Sequence, residues 1–167
     1  MTDARVLVIM GSDSDLEQLK PAWQVLDQLG IRYEVRVASA HRTPERVREL
    51  ALGARNAGFG VVIAAAGGAA HLAGVVAAHT TLPVVAVPIA GGTLGGVDAL
   101  LSSVQMPPGI PLASVGVAGA RNAGLYAAAI LGANDARIAG ELERYRREQS
   151  ARVDAADERV RTTHSKT

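Results

Sequence analysis

The chain has no cysteine among its 167 residues. That excludes a disulfide scaffold, thiol catalysis and a cysteine-ligated zinc site. Aromatic residues make up only 3% of the sequence, so platforms for stacking nucleic-acid bases are not expected. Neither sign of charge dominates: 17 Lys and Arg stand against 16 Asp and Glu, a formal net charge of +1. A field strong enough to attract nucleic acid is therefore absent. No apolar run approaches the ~20 residues that a membrane-spanning helix needs. Nothing before Arg5 reads as a signal peptide. The expected setting is the cytoplasm, with no membrane partner.

Small apolar residues are plentiful. Hydrophobic residues reach 49%, and there are 18 glycines. A chain of this length is expected to form one domain and to bury roughly 70% of its unfolded surface without a staple. Small side chains let helices approach a sheet closely and let backbone approach a ligand. They also leave each element a thin apolar face, so contacts between subunits are expected to add burial.

Short buried runs alternate with helical patterns. RVLVIM (5–10) reads as a strand. Leu16, Leu19, Trp23 and Leu26 then recur at helical spacing up to Gly30. A strand over 32–37 follows, and Pro44 suits the first turn of a helix reaching residue 57. Further strands are predicted over 60–66, 82–87 and 112–117. An Ala-rich helix should end near Ala78, with others over 98–104 and 122–131. The alternation argues for a three-layer α/β/α sandwich with a parallel, flavodoxin-like sheet over residues 1–134. No internal repeat or linker divides it. Residues 135–161 are charged and helix-prone with a sparse apolar stripe. Two readings stand for them: a helix lying on its own domain, or one reaching a neighbouring subunit. Residues 162–167 are expected to fray.

Three polar or glycine-rich segments each follow a predicted strand, so a parallel sheet would bring them to one edge. The first holds Gly11, Ser12, Ser14 and Asp15, whose hydroxyls and N–H groups suit an anion at a helix N-terminus. Ordinary helix capping by Ser12 or Ser14 explains the same residues. Asp15 would repel a phosphate but suits ribose hydroxyls. The second holds Ser39, Ala40, His41, Arg42, Thr43 and Pro44. An imidazole titrates near neutrality and serves as acid or base, and a guanidinium grips phosphate or carboxylate with two bonds. The third holds Gly67, Gly68, Ala69, Ala70, His71 and Leu72, where glycines admit a ligand close to the backbone. The loop 91–96 reads as a mobile lid or a plain connection. His79 is expected at the surface and His164 in the tail, and the histidine spacing does not suit a metal. No GxGxxG, Walker A or GxSxG motif is present.

These segments together resemble one family. MGSDSD (10–15), SAHRTP (39–44), AGGAAHLAG (66–74), LPVVAVP (82–88) and GVDALLSSVQMPPGIP (96–111) are similar to the N5-carboxyaminoimidazole ribonucleotide mutases of purine synthesis, the class I PurE family. The resemblance runs in order from about residue 5 to residue 132. It implies a flavodoxin-like homo-octamer that needs no cofactor or metal. It implies conversion of N5-carboxyaminoimidazole ribonucleotide to 4-carboxy-5-aminoimidazole ribonucleotide. On this resemblance His41 is catalytic. Ser12, Ser14, Asp15 and Arg42 contact phosphate and ribose, and residues 67–71 line the base and carboxylate pocket. Gly11, Ser39, Ala40 and Leu72 fall in the same motifs and are expected to bind substrate.

The related carboxylases, which use free CO2, are distinguished by lacking the GGAAH segment that this chain has. Gly91 and His79 depart from the family pattern, and the turn before Ala120 is about two residues short. Two rival readings of the residues are a non-catalytic sugar-phosphate sensor and a flavin-binding flavodoxin. The scarcity of aromatics weighs against the flavin.

Overall fold

Strand residues face alternate sides of a sheet, and β1 (Arg5–Met10) is buried on both. The computed structural model describes residues 5–164. Val6, Val8 and Met10 turn to one face, where Val61, Ile63 and Ala65 join them. Leu7 and Ile9 turn to the other, with Val62 and Ala64. Such continuous apolar runs are what a parallel sheet covered on both faces requires.

The remaining strands are β2 (Tyr33–Val37), β3 (Phe59–Ala66), β4 (Val84–Pro88) and β5 (Ala113–Ser114). All pairings are parallel, in the order β2-β1-β3-β4-β5. The chain leaves β1 toward β2 on one side and returns past it to β3 on the other. Sheets wound this way bind ligands at the strand C-termini, where the winding reverses. That point lies between β1 and β3.

The helices are α1 (Leu16–Gln28), α2 (Pro44–Gly53), α3 (Leu72–His79), α4 (Val97–Val104), α5 (Ala120–Gly132) and α6 (Ala136–His164). Leu19, Ala22, Val25 and Leu26 of α1 share a core with Ala120, Ala123, Ala127 and Ala128 of α5 and Ile138 of α6. On the opposite face, Val47 and Ala51 of α2 meet Leu72, Ala73 and Val76 of α3. Helices α1 and α5 touch closely at Gly124. A Cβ there would stand 2.5 Å from both the Ala22 carbonyl oxygen and Val25 Cγ1. None of the described helices is long and apolar enough to cross a membrane.

Several boundaries differ from the sequence reading. β5 has two residues where six were expected. Ala118, at φ 56°, turns the chain away, although the Val115 and Ala118 N–H groups still bond to Ala86 and Pro88 of β4. Helix α2 ends at Gly53, and the chain turns through residue 57 before β3. Helix α6 begins behind Asp135, whose Oδ1 accepts from the N–H groups of Arg137 and Ile138. Its first turns lie on the domain, where Arg137 Nη1 donates to the Leu29 carbonyl at 3.2 Å. Farther along, Val153 and Val160 are exposed. The helix continues to His164, past the expected limit at Arg161. The rest of the expected frayed tail lies outside the described residues.

Candidate active site

The three strand-end segments converge. A cavity of about 410 Å³ is lined by Gly11, Ser12 and Asp15 after β1, by Ser39, Ala40, His41 and Arg42 after β2, and by Ala66, Gly67, Ala70, His71 and Leu72 after β3. Of the residues expected in the site, Ser14, Gly68 and Ala69 stand outside this lining. The Ser14 hydroxyl instead donates to Ser12 Oγ at 2.9 Å. Ala66 was missed, because it reads simply as the last residue of a buried strand.

The first segment forms a short 3-10 turn, Asp13–Asp15, capped by Ser12, whose Oγ accepts from the Ser14 N–H. Capping by Ser12 therefore holds, but for this turn rather than for α1. Asp15 occupies the N-cap of α1 without bonding a helix N–H through its side chain. Its side chain belongs instead to the cavity wall, and the residue is only 9% exposed. Burial pushes the Asp15 carboxyl above its ordinary value, and the charge of Asp13 adds to that. Hydrogen bonds from Ser14 and Ser12 and the Arg42 guanidinium pull the other way.

The second segment is braced by its own side chains. Thr43 Oγ1 accepts from the Ser39 N–H at 2.9 Å and donates to the Ser39 carbonyl at 3.2 Å. Ser39 Oγ accepts from the Arg42 N–H at 3.2 Å. Arg42 Nη2 crosses to the Gly11 carbonyl at 2.9 Å, tying this loop to the first. A smaller lobe of about 270 Å³ shares Gly11, Ser12, Ser39 and Arg42 and adds Arg46. Arg46 was not anticipated. Its signal was its place in the first turn of α2, into which the second segment leads.

The third segment turns tightly. Gly68 has φ 60° and Ala70 φ 36°, and the Ala70 N–H bonds to the Gly67 carbonyl at 3.2 Å. The left-handed region costs a residue with a Cβ about 1–2 kcal/mol. That turn delivers His71 to His41. His41 Nε2 and His71 Nδ1 are 2.9 Å apart, with the rings edge to face. One nitrogen must donate and the other accept, so a single proton is shared across the contact. Asp15, Arg42 and the imidazole pair are the titratable groups of the cavity lining.

The chain matches the family model described as AIR carboxylase over residues 5–152. It belongs to the AIR carboxylase family. It is 50% identical over 149 residues to the N5-carboxyaminoimidazole ribonucleotide mutase of Thermotoga maritima, covering 89% of this chain and 87% of that one. It is 55% identical over 141 residues to the mutase of the same name from Bacillus subtilis, covering 83% and 87%. Among solved structures it is similar to Treponema denticola PurE, at TM-score 0.84 and 29% identity over 94% of this chain and 98% of that one.

Within this member of the AIR carboxylase family the cavity has two ends. One is rich in donors, with Arg42, Ser12 and the adjoining Arg46, and it also carries the carboxylates of Asp15 and, in the smaller lobe, Asp13. The other holds the imidazole pair against small walls made by Ala40, Ala66, Gly67 and Ala70. The first suits an anion and the second a proton transfer. Among the described residues, no three His, Cys, Asp or Glu gather where they could hold a metal ion. A larger cavity, about 760 Å³, lies at the opposite edge of the sheet. Arg55 and His79 line it, but no carboxylate or paired imidazole does. His79 is half-buried there rather than exposed at the surface.

Proposed function

We propose that this protein converts N5-carboxyaminoimidazole ribonucleotide to 4-carboxy-5-aminoimidazole ribonucleotide, an isomerisation in purine synthesis. The observation that carries the reading is the His41–His71 contact in a cavity that also offers the Arg42 guanidinium and Ser12 hydroxyl. The names of the relatives at about half identity support the same reaction.

The substrate's N-carboxylate is a carbamate. Its C–N bond breaks, CO2 leaves, and the nitrogen takes a proton from His41. The ring carbon C4 then attacks the same CO2, a C–C bond forms, and the C4 proton passes to the now neutral His41. The proton lent in the first half is recovered in the second, so one imidazole acts as acid and then as base. His71 orients the His41 ring through the 2.9 Å contact. Arg42 and Ser12 anchor the phosphate, and Asp15 takes the ribose hydroxyls. Ser14 braces Ser12, and Gly68 and Ala69 shape the turn. Holding CO2 beside C4 between the two halves replaces a bimolecular step by a local one.

The protein would work as a homo-oligomer, an octamer by its family resemblance. Support comes from α4, where Val97, Leu101 and Val104 with the preceding Leu94 are all exposed. An apolar stripe of this spacing is suited to a second protein surface. Purine intermediates are soluble nucleotides, so the cytoplasm is the compartment in which the reaction would run.

The decisive assay offers N5-carboxyaminoimidazole ribonucleotide in one arm and the decarboxylated amine with bicarbonate in the other. Turnover in the first arm without added bicarbonate is expected. Turnover only in the second would reassign the chain to free-CO2 carboxylation. Binding with no turnover in either would make it a sensor. His41→Asn should still bind substrate while losing at least ~100-fold in kcat.

A further inference from the structure

The glycine-rich segment 91–96 leaves the sheet at the same edge as the candidate site. It lies beside the 67–71 turn, because β4 neighbours β3. Both its ends are fixed. At the start, Gln18 in the first turn of α1 makes two bonds to one residue. Its Nε2 donates to the Ala90 carbonyl at 2.9 Å, and its Oε1 accepts from the Ala90 N–H at 2.9 Å. The carboxamide thereby satisfies both backbone groups of Ala90, as a neighbouring strand would. At the far end Gly96 is wedged. A Cβ there would come within 2.7 Å of Val117 Cγ1 and 2.9 Å of the Ile89 carbonyl oxygen. Between these anchors residues 91–95 are exposed, and Gly92 and Gly95 adopt φ 65° and 60°.

The same anchor reaches the site. Ile89 precedes Ala90, is 5% exposed, and donates its N–H to the Ala66 carbonyl at 3.0 Å. A Cβ on Gly67 would lie 3.6 Å from Ile89 Cβ. The turn that presents His71 therefore begins on an Ile89 shelf. A carboxamide that only filled space would not need both of its polar atoms bonded to one residue.

We propose that Gln18 is a positioning residue for the reaction. By holding Ala90 it fixes the Ile89 shelf under Gly67 and the hinge from which the 91–95 strap folds over the bound ribonucleotide. The kinetic part rests on the mutase reading, while the mechanical part rests on the fold alone.

Two readouts keep these apart. Amide hydrogen exchange over residues 89–96 reports the clamp without any turnover, and kcat and KM with N5-carboxyaminoimidazole ribonucleotide report the positioning. Gln18→Leu removes both bonds. Exchange over 89–96 is expected to quicken by tenfold or more, with kcat falling roughly tenfold and KM changing less. Gln18→Glu keeps the bond to the Ala90 N–H but sets a carboxylate oxygen against the Ala90 carbonyl. It should change both readouts in the same direction, and it carries the test if the leucine variant fails to fold. Unchanged exchange would overturn the clamp, and faster exchange with wild-type kcat would overturn the positioning role. If the unmodified protein leaves the substrate untouched, the mutase reading has failed, and exchange still judges the clamp.

Discussion

His41 and His71 stand 30 residues apart in sequence, yet His41 Nε2 lies 2.9 Å from His71 Nδ1. In the proposed reaction this contact would hold His41 Nε2 in place for the substrate. Removing His71 leaves the His41 ring free to rotate. His71→Ala should lower kcat by tenfold or more with a smaller change in KM, as loss of an aid to acid–base catalysis would. His71→Gln, which can still bond to an imidazole, should recover part of the rate. Full activity in the alanine variant, measured across the neutral pH range, would remove His71 from the mechanism.

Arg42 and Arg46 should separate by size of effect. Arg42 binds the Gly11 carbonyl and lines both lobes of the cavity. Its loss takes away a charge-assisted grip, so Arg42→Ala should raise KM roughly ten- to a hundredfold. Arg46 is exposed and touches only the smaller lobe, and Arg46→Ala should raise KM only about two- to fivefold. Both effects should shrink as salt rises. Equal effects, or effects confined to kcat, would argue against a phosphate at this end.

Asp15 couples the site to stability. Its carboxyl is raised in the folded protein, burial being the largest cause. The folded state thus favours the protonated form. Its contribution is greatest below the ordinary aspartate value of 3.8 and is lost as pH rises through the raised folded value. Asp15→Asn removes this cost, so the unliganded variant should be the more stable protein at neutral pH. That advantage should shrink on acidification and vanish below pH 3.8. Denaturant melts at several pH values measure it. An equal gain at every pH would show that charge is not the cause. The same variant should bind ribonucleotide less well, since a neutral amide accepts the ribose hydroxyls more weakly.

The contact of α1 with α5 should be intolerant of one methyl group. Gly124→Ala would place a Cβ 2.5 Å from Val25 Cγ1 and from the Ala22 carbonyl oxygen. Overpacking of this kind costs about 1–3 kcal/mol, which in a domain of this size lowers Tm by several degrees. Gly140→Ala, where a Cβ meets nothing within 4 Å, is the matched control. Equal melting of the two variants would mean that the helices move apart freely.

The sheet and the site were legible to different depths. The buried runs 5–10 and 60–66 marked the central strands, because a doubly covered strand must be apolar throughout. The chemistry at their ends could then be assigned to one edge. Partnerships across the chain could not. Gln18 reads as one more polar residue of an amphipathic helix, and its partner is the backbone of Ala90, 72 residues away. Backbone groups are the same at every position, so no residue type announces them. β5 misled for a related reason. Apolar residues 112–117 look like a strand, while the backbone turn at Ala118 is set by where the edge of the sheet ends.

Every residue lining the site cavity lies between positions 11 and 72, whereas the shelf beneath Gly67 is Ile89. On a ribosome the whole cavity lining would thus emerge before its support. A chain halted after α3 would own each lining residue and still lack β4, and with it the floor that holds the 67–71 turn. The 67–71 turn thus gains its floor only as β4 joins the sheet.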